Sequence, residues 1–259
     1  MSGRVFDFDR ALVRTPAPSV VDGLRSGAEA PSYEGVLDEH RAYVAALEAA
    51  GLMVETLPPL DAFPDSLFVE DPAFVVPEGA ILLKPGASSR TEEAAAIAPA
   101  LRSRFERVLE LDEGHADGGD ILVLPDEIVI GLSTRTDRRG AERFVALAAA
   151  LGRRARIVAT PAGPLHFKTG CALIDAETVI AFPSFAPVFA GLEMIATLEG
   201  EEAGANLLRI NDRVLVSADC PRTCELLAKR DHKLVPLPTA EINRIDAGLS
   251  CMSLRWKAS

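Results

Sequence analysis

Residues 118–160 read GGDILVLPDEIVIGLSTRTDRRGAERFVALAAALGRRARIVAT. Two β-branched runs flank the Pro125-Asp126 turn, which is the pattern of a short hairpin. From Gly140 the apolar residues switch to helical spacing, and Gly152 stands where a helix C-cap wants a positive φ. RARIVAT then returns to strand character. The unit is therefore two paired strands, a helix and a third strand.

Working outward, the same order recurs. Helix-period segments at 35–50, 91–105 and 221–230 are each followed by a strand-like piece, LMVETL, RVLEL and HKLVPL. Gly51 takes the C-cap place after the first of them. Hairpin patterns stand in PAFVVPEGAILLK (72–84) and GCALIDAETVIAF (170–182). Units of about 45–55 residues leave room for about five. The fourth helix falls by elimination in the irregular stretch 183–217. So many short strands can be protected by repetition around an axis. A doubly wound sheet is the rival, and the hairpins argue against it because parallel neighbours need long crossovers. Without a linker or low-complexity segment, 1–259 is expected to be one α/β domain.

The chain carries 27 Lys and Arg against 38 Asp and Glu, a net charge of −11. That balance disfavours phosphate backbones and anionic lipid, so neither a nucleic-acid nor a membrane partner is expected. It is compatible with a cationic substrate and equally with mere solubility. The N-terminus has charges where a signal peptide needs an apolar run, and no stretch approaches the ~20 apolar residues of a span. Four scattered cysteines make no disulfide framework, and a reducing cytoplasmic setting follows as the default.

Four histidines narrow the search for chemistry. His40 reads as a solvated helix residue and His232 as surface, which leaves His115 in a loop and His166 in PAGPLHFKTGCAL. Cys220 and Cys224 suit helix packing, and Cys171 an apolar strand. Cys251, in DAGLSCMSLRW, follows a tight turn; it is either presented to a cavity or buried. In PDSLFVEDPAF the carboxylates Asp65, Glu70 and Asp71 flank Leu67, Phe68 and Val69 and would repel one another unless a cation is supplied. In HADGGDILVL paired glycines separate Asp117 and Asp120. They permit a close backbone approach, as for an Asp aimed at a histidine ring, or simply a sharp turn.

Taken together, LVRTP, DSLFVED, KPGASSR, DGGD, GLSTRT, LHFKTGCAL and DAGLSC, in that order, resemble the dimethylarginine dimethylaminohydrolases. These sit within the wider guanidino-modifying (pentein) group of arginine deiminases and amidinotransferases. The resemblance implies a five-bladed, pseudo-symmetric α/β propeller with a central active site. It further implies a triad of Cys251, His166 and Asp117, the last at a place where other members carry Glu. Asp71 and Asp246 match the guanidinium-binding carboxylates, and Arg90 and Arg135 the pair that clamps the substrate α-carboxylate. Asp65 matches the residue facing the α-amine, Phe68 and Glu70 line the pocket, and Val20 falls on the apolar tip of an N-terminal lid.

The implied chemistry is coherent. A guanidinium is a poor electrophile until carboxylates hold it and its leaving amine is protonated. Cys251 attacks the central carbon, His166 protonates the amine and then activates water, and Asp117 orients the imidazole. No metal or organic cofactor is required. The partner expected is a small molecule, methylated arginine, with a homodimer left open. Deiminase or citrulline-hydrolysing activity with the same triad is the nearest alternative, favoured less because deiminases carry an added helical insertion. A non-enzymatic protein on the same propeller, like the ribosome anti-association factor of that architecture, would have little reason to keep the triad and both arginines.

Overall fold

The computed structural model describes residues 5–258. Its strands form five three-stranded sheets. The first holds β1 (Arg10–Arg14) and, after helix α1 (Tyr33–Ala49), β2 (Met53–Leu57). The second is β3 (Ala73–Val76), β4 (Gly79–Leu82), α2 (Glu93–Arg102) and β5 (Val108–Glu110). The third is β6 (Ile121–Val123), β7 (Ile128–Leu132), α3 (Arg138–Ala150) and β8 (Ala155–Ala159). The fourth is β9 (Cys171–Leu173), β10 (Thr178–Ala181) and β11 (Glu193–Ala196). The fifth is β12 (Leu208–Ile210), β13 (Arg213–Ser217), α4 (Pro221–Ala228) and β14 (Lys233–Leu237). A short α5 (Ala240–Asn243) and β15 (Leu254–Trp256) finish the chain.

Every sheet repeats one pattern: an inner strand antiparallel to a middle strand, which is parallel to an outer one. In the first sheet the inner strand is β15, so the two ends of the chain pair (Arg10 with Trp256, Leu12 with Leu254) and close the ring. This is a five-bladed, pseudo-symmetric α/β propeller. In four of the five blades an α-helix supplies the crossover that parallel pairing demands. The third blade shows why the sequence folds this way. Asp137 caps α3 by accepting from the Gly140 amide at 2.7 Å. Ala141, Phe144, Leu147 and Ala148, spaced to one helix face, then pack with Ile128 and Ile130 in a shared buried cluster.

Three expectations are corrected. No α-helix lies between 183 and 217 among the described residues; the crossover from β10 to β11 is a 3-10 turn (Pro183–Phe185) and irregular chain. Pro183 and Pro187 withhold amide donors, and stacked Phe185 and Phe189 fill the space a helix would occupy. The same stretch ends in the β12–β13 hairpin, whose turn is made by Asn211 at φ +50°. Finally, His40 is buried rather than solvated. Helix α1 is covered by β2, β14 and α5, and both Glu39 oxygens accept from the α5 amides of Glu241 and Ile242.

Nε2 of His40 has no hydrogen-bond partner, and burial pushes the group down to about 4. The unfolded chain therefore takes up this proton first. Stability is expected to be full above about pH 6.5 and to fall between there and about pH 4, by up to roughly 3 kcal/mol from this group. Urea midpoints measured across that range should decline more steeply in the wild type than in His40→Leu; parallel declines would contradict this reading.

Candidate active site

Each inner strand is entered through a short segment from the outer part of a blade, and each segment carries a polar or nucleophilic side chain. Asp71 lies just before β3, Asp117 before β6, His166 before β9, Asn206 before β12 and Cys251 before β15. Equivalent positions in five pseudo-equivalent blades bring these groups to the same end of the axis. A carboxylate oxygen of Asp71, one of Asp117 and a ring nitrogen of His166 lie within 4.8 Å of one another, all buried.

The glycines of DGGD make this approach feasible. A side chain on Gly118 would meet the Glu70 carbonyl at 1.9 Å, and one on Gly119 would meet the His166 ring at 2.7 Å. With hydrogens there, the turn stacks beneath the imidazole. Asp117 accepts from the Gly86 amide at 2.7 Å and bonds His166 Nε2 at 3.0 Å. Asp120 holds the His166 loop by accepting from the Phe167 amide at 2.7 Å and from the Ser133 and Thr136 hydroxyls. Burial opposes a charge on His166, yet Asp71, the Asp117 bond and Asp120 outweigh it and raise the group to about 9. The resting imidazole is a cation at neutral pH, ready to donate.

Asp71 is the buried anion of the site. Burial opposes its charge, but Arg90, His166 and Lys168 overcome that and hold it below the usual carboxylate range. Oδ1 accepts from Gly119 N at 3.1 Å, and Oδ2 accepts from Arg90 Nη1. Cys251 sits in a 3-10 turn (Leu249–Met252) after Gly248, with the Ser250 amide bonded to Asn206 Oδ1 at 3.1 Å. Burial, then Glu70 and Asp71, push its thiol up to about 12. It rests protonated and needs a nearby cation to ionise.

Several expected roles shift. Arg90 is buried and committed: Nε and Nη2 donate to Glu93, and Nη2 also to the carbonyls of Asp65 and Phe68. With Nη1 also on Asp71, it retains at most one N–H for a ligand and acts chiefly as the counter-ion of Asp71. Arg135 makes no ion pair among the described residues and is half-buried near Asp65. Glu70 presents no free carboxylate. Lys168 Nζ at 2.5 Å, Arg255 at 3.1 Å and the Ser250 hydroxyl at 3.1 Å occupy it. Asp65, raised by burial, accepts from the Leu24 amide at 3.0 Å. Asp246, at φ +54°, accepts from the Ser26 amide at 2.6 Å and hydroxyl at 2.8 Å. These two bonds tie the N-terminal loop to the segment preceding Cys251, with Val20 fully buried in the cluster that includes Phe68 and Cys251.

Of the other candidates, His115 is an exposed partner of Asp137 and stands apart from this cluster. Cys171 is buried in β9 with its thiol on the Phe167 carbonyl at 3.3 Å, and burial raises it well above its ordinary value. Sequence reading missed Lys168, Arg255, Glu93 and Asn206. Lys168 alone carried a signal: a lysine between apolar neighbours in HFKTGCAL needs a buried carboxylate.

A family profile described as arginine deiminase matches residues 37–196. The N(G),N(G)-dimethylarginine dimethylaminohydrolase of Pseudomonas aeruginosa is 36% identical over 254 residues, covering 96% of this chain and all of that protein. That of Streptomyces coelicolor is 34% identical, covering 96% of this chain and 97% of its own. A solved structure of the P. aeruginosa enzyme, a Cys-to-Ser mutant complexed with citrulline, superposes with a TM-score of 0.92 at 36% identity, covering 96% and 100% of the two chains. An arginine dihydrolase domain from cyanobacteria superposes at 0.86 with 17% identity, covering 96% and 97%, a likeness of fold alone.

If Glu70 helps to keep Cys251 protonated, Glu70→Gln should lower the thiol's pKa, because Lys168 and Arg255 then face it uncompensated. Alkylation of Cys251 by iodoacetamide at about pH 8 should accelerate roughly tenfold, one pKa unit's worth. An unchanged or slower rate in a variant of normal melting temperature would contradict the assignment.

Proposed function

The chain belongs to the dimethylarginine dimethylaminohydrolase family, and from that we propose that it hydrolyses Nω-methylated arginine to citrulline and mono- or dimethylamine. It does so as a single catalytic domain, with Cys251 as nucleophile, His166 as acid and base, and Asp117 as the group that orients His166. The observation that carries this reading is a thiol held neutral by burial and by the carboxylates Glu70 and Asp71, with an imidazole held cationic by the same Asp71 and by Asp117. Such a site lacks only a cation next to the sulfur, and a guanidinium supplies it.

The substrate guanidinium takes the open lone pairs of Asp71 and Asp246; each carboxylate has about four acceptor positions, and among the described residues two donors reach each of them. Its positive charge offsets Glu70 and Asp71, and Cys251 ionises by releasing its proton to solvent. The thiolate forms a C–S bond to the central carbon. His166 passes its proton to the alkylated nitrogen, the C–N bond breaks, and the amine departs. Now neutral, His166 takes a proton from water as the water adds to the thiouronium carbon. The C–S bond breaks as the carbonyl forms, the hydroxyl proton passes to the departing sulfur, and the ureido product leaves.

At the other end of the substrate, Arg135 meets the α-carboxylate with Arg90 giving at most one further donor, and Asp65 meets the α-amine. Val20 and Phe68 supply apolar walls. Deiminase chemistry would use the same parts, since methyl groups are read by pocket volume. The four cysteines are unpaired, in keeping with a reducing cytoplasm, and no helix among the described residues is long and apolar enough to cross a membrane.

The test is a substrate panel of arginine, monomethylarginine, both dimethylarginines and citrulline, scored for citrulline, ornithine and amine release. Methylated arginines should be preferred. Cys251→Ser should lower turnover at least about 10³-fold, the scale seen on removing a catalytic nucleophile, while the same change at Cys171, Cys220 or Cys224 leaves it largely intact. Turnover of plain arginine or citrulline alone would remove the substrate assignment, and full activity in Cys251→Ser the mechanism.

A further inference from the structure

Other residues of the segments that build the site face elsewhere. Beside Asp71, Asp117 and Cys251 stand Glu70, Gly118 and Ser250, and Lys168 follows His166 by two residues; all four line a separate cavity of about 450 Å³. Its walls come from the inner strands β3, β6, β9, β12 and β15, so it runs along the propeller axis behind the active site, with Val5–Phe8 forming part of its side. None of the triad lines it. The volume is that of a small-molecule pocket.

Its charge is opposite to that of the molecule. Lys168, Arg255, Arg209, Arg153 and Lys257 line it, against the carboxylates Glu70 and Asp7, in a chain of net charge −11. Burial grades these groups. Glu70, Lys168 and Arg255 are nearly buried and lie deep, whereas Arg153 and Lys257 are a third to a half exposed and mark the mouth. Arg153 is matched by Glu78, and Lys257 by Asp7. Arg209 makes no ion pair among the described residues. It lies 5.6 Å over the Phe6 ring and donates to the Asn211 and Ile174 carbonyls, with Asp175 and Asp212 too far for contact. Between the mouth and the deep cations the wall is apolar, with Phe74, Val76, Val123 and Leu173.

A half-buried guanidinium at the wall of an apolar cavity, with no carboxylate in contact among the described residues, calls for an anion with an apolar tail. We propose that the axial cavity is a second ligand site that takes a medium-chain carboxylate, its headgroup on Arg209 and its tail between the inner strands. The site is independent of the catalytic reading and stays open when Cys251 is blocked.

Sodium octanoate, titrated calorimetrically into the full chain, should show one saturable site, while 1-octanol, with the same tail and no charge, binds at least tenfold more weakly. Alkylation of Cys251 should leave octanoate binding unchanged. Val123→Trp, which fills the tunnel, should weaken it more than tenfold. Arg209→Gln should do likewise, with Arg209→Lys near wild type. Equal affinity for octanol and octanoate, wild-type affinity in Val123→Trp, or no saturable binding overturns the proposal. The octanoate–octanol comparison uses the wild-type chain and does not depend on any variant folding.

Discussion

The Asp71 carboxylate is the charge around which the site is arranged. A buried carboxylate survives in ionised form only if paired and hydrogen-bonded. Arg90 and the Gly119 amide meet that demand directly, and His166 and Lys168 by proximity. The same charge then acts outward, helping to keep His166 protonated and Cys251 un-ionised. One carboxylate therefore contributes to both proton positions in the resting site, together with burial and Glu70 at Cys251 and with Asp117 and Asp120 at His166. It also explains why Arg90 is enclosed: removing its positive charge would leave Asp71 uncompensated in a dry interior.

Much of this was legible in the sequence, because the β-branched runs and helical spacing of 118–160 recur at intervals. Blades two and three follow directly from their Pro-Glu and Pro-Asp turns. The fourth crossover was not legible, since phenylalanine packing replaces helical periodicity there, and Asn211 closes the fifth hairpin without a glycine. His40 was misjudged for a related reason. Its burial depends on α5, docked some two hundred residues later through Glu39, and helix periodicity cannot report such a partner.

Within the site, the reading of DGGD as a close approach to a histidine ring agrees with Gly119 beneath His166 and Asp117 on its Nε2. Glu70, expected to line the pocket, acts on the Cys251 thiol while its carboxylate is engaged by protein donors. Asp71 is held by Arg90 and Gly119, whereas Glu70 also lines the axial cavity. Lys168, Arg255 and Ser250 close around Glu70, and this ion cluster separates the catalytic end of the axis from the cavity behind it. Sequence alone does not reveal which side of that wall a carboxylate faces.

The central claim is that substrate charge awakens a resting thiol at Cys251, which then bonds to the guanidinium carbon. Acid-quenching the enzyme during turnover of dimethylarginine and locating the adduct by peptide mass spectrometry tests it most directly. The account expects a modification equal to the substrate less its dimethylamine, on the peptide containing Cys251 and absent from Cys251→Ser. Its formation must be at least as fast as turnover. Citrulline production with no adduct under rapid quench, or an adduct confined to Cys171, Cys220 or Cys224, would contradict it.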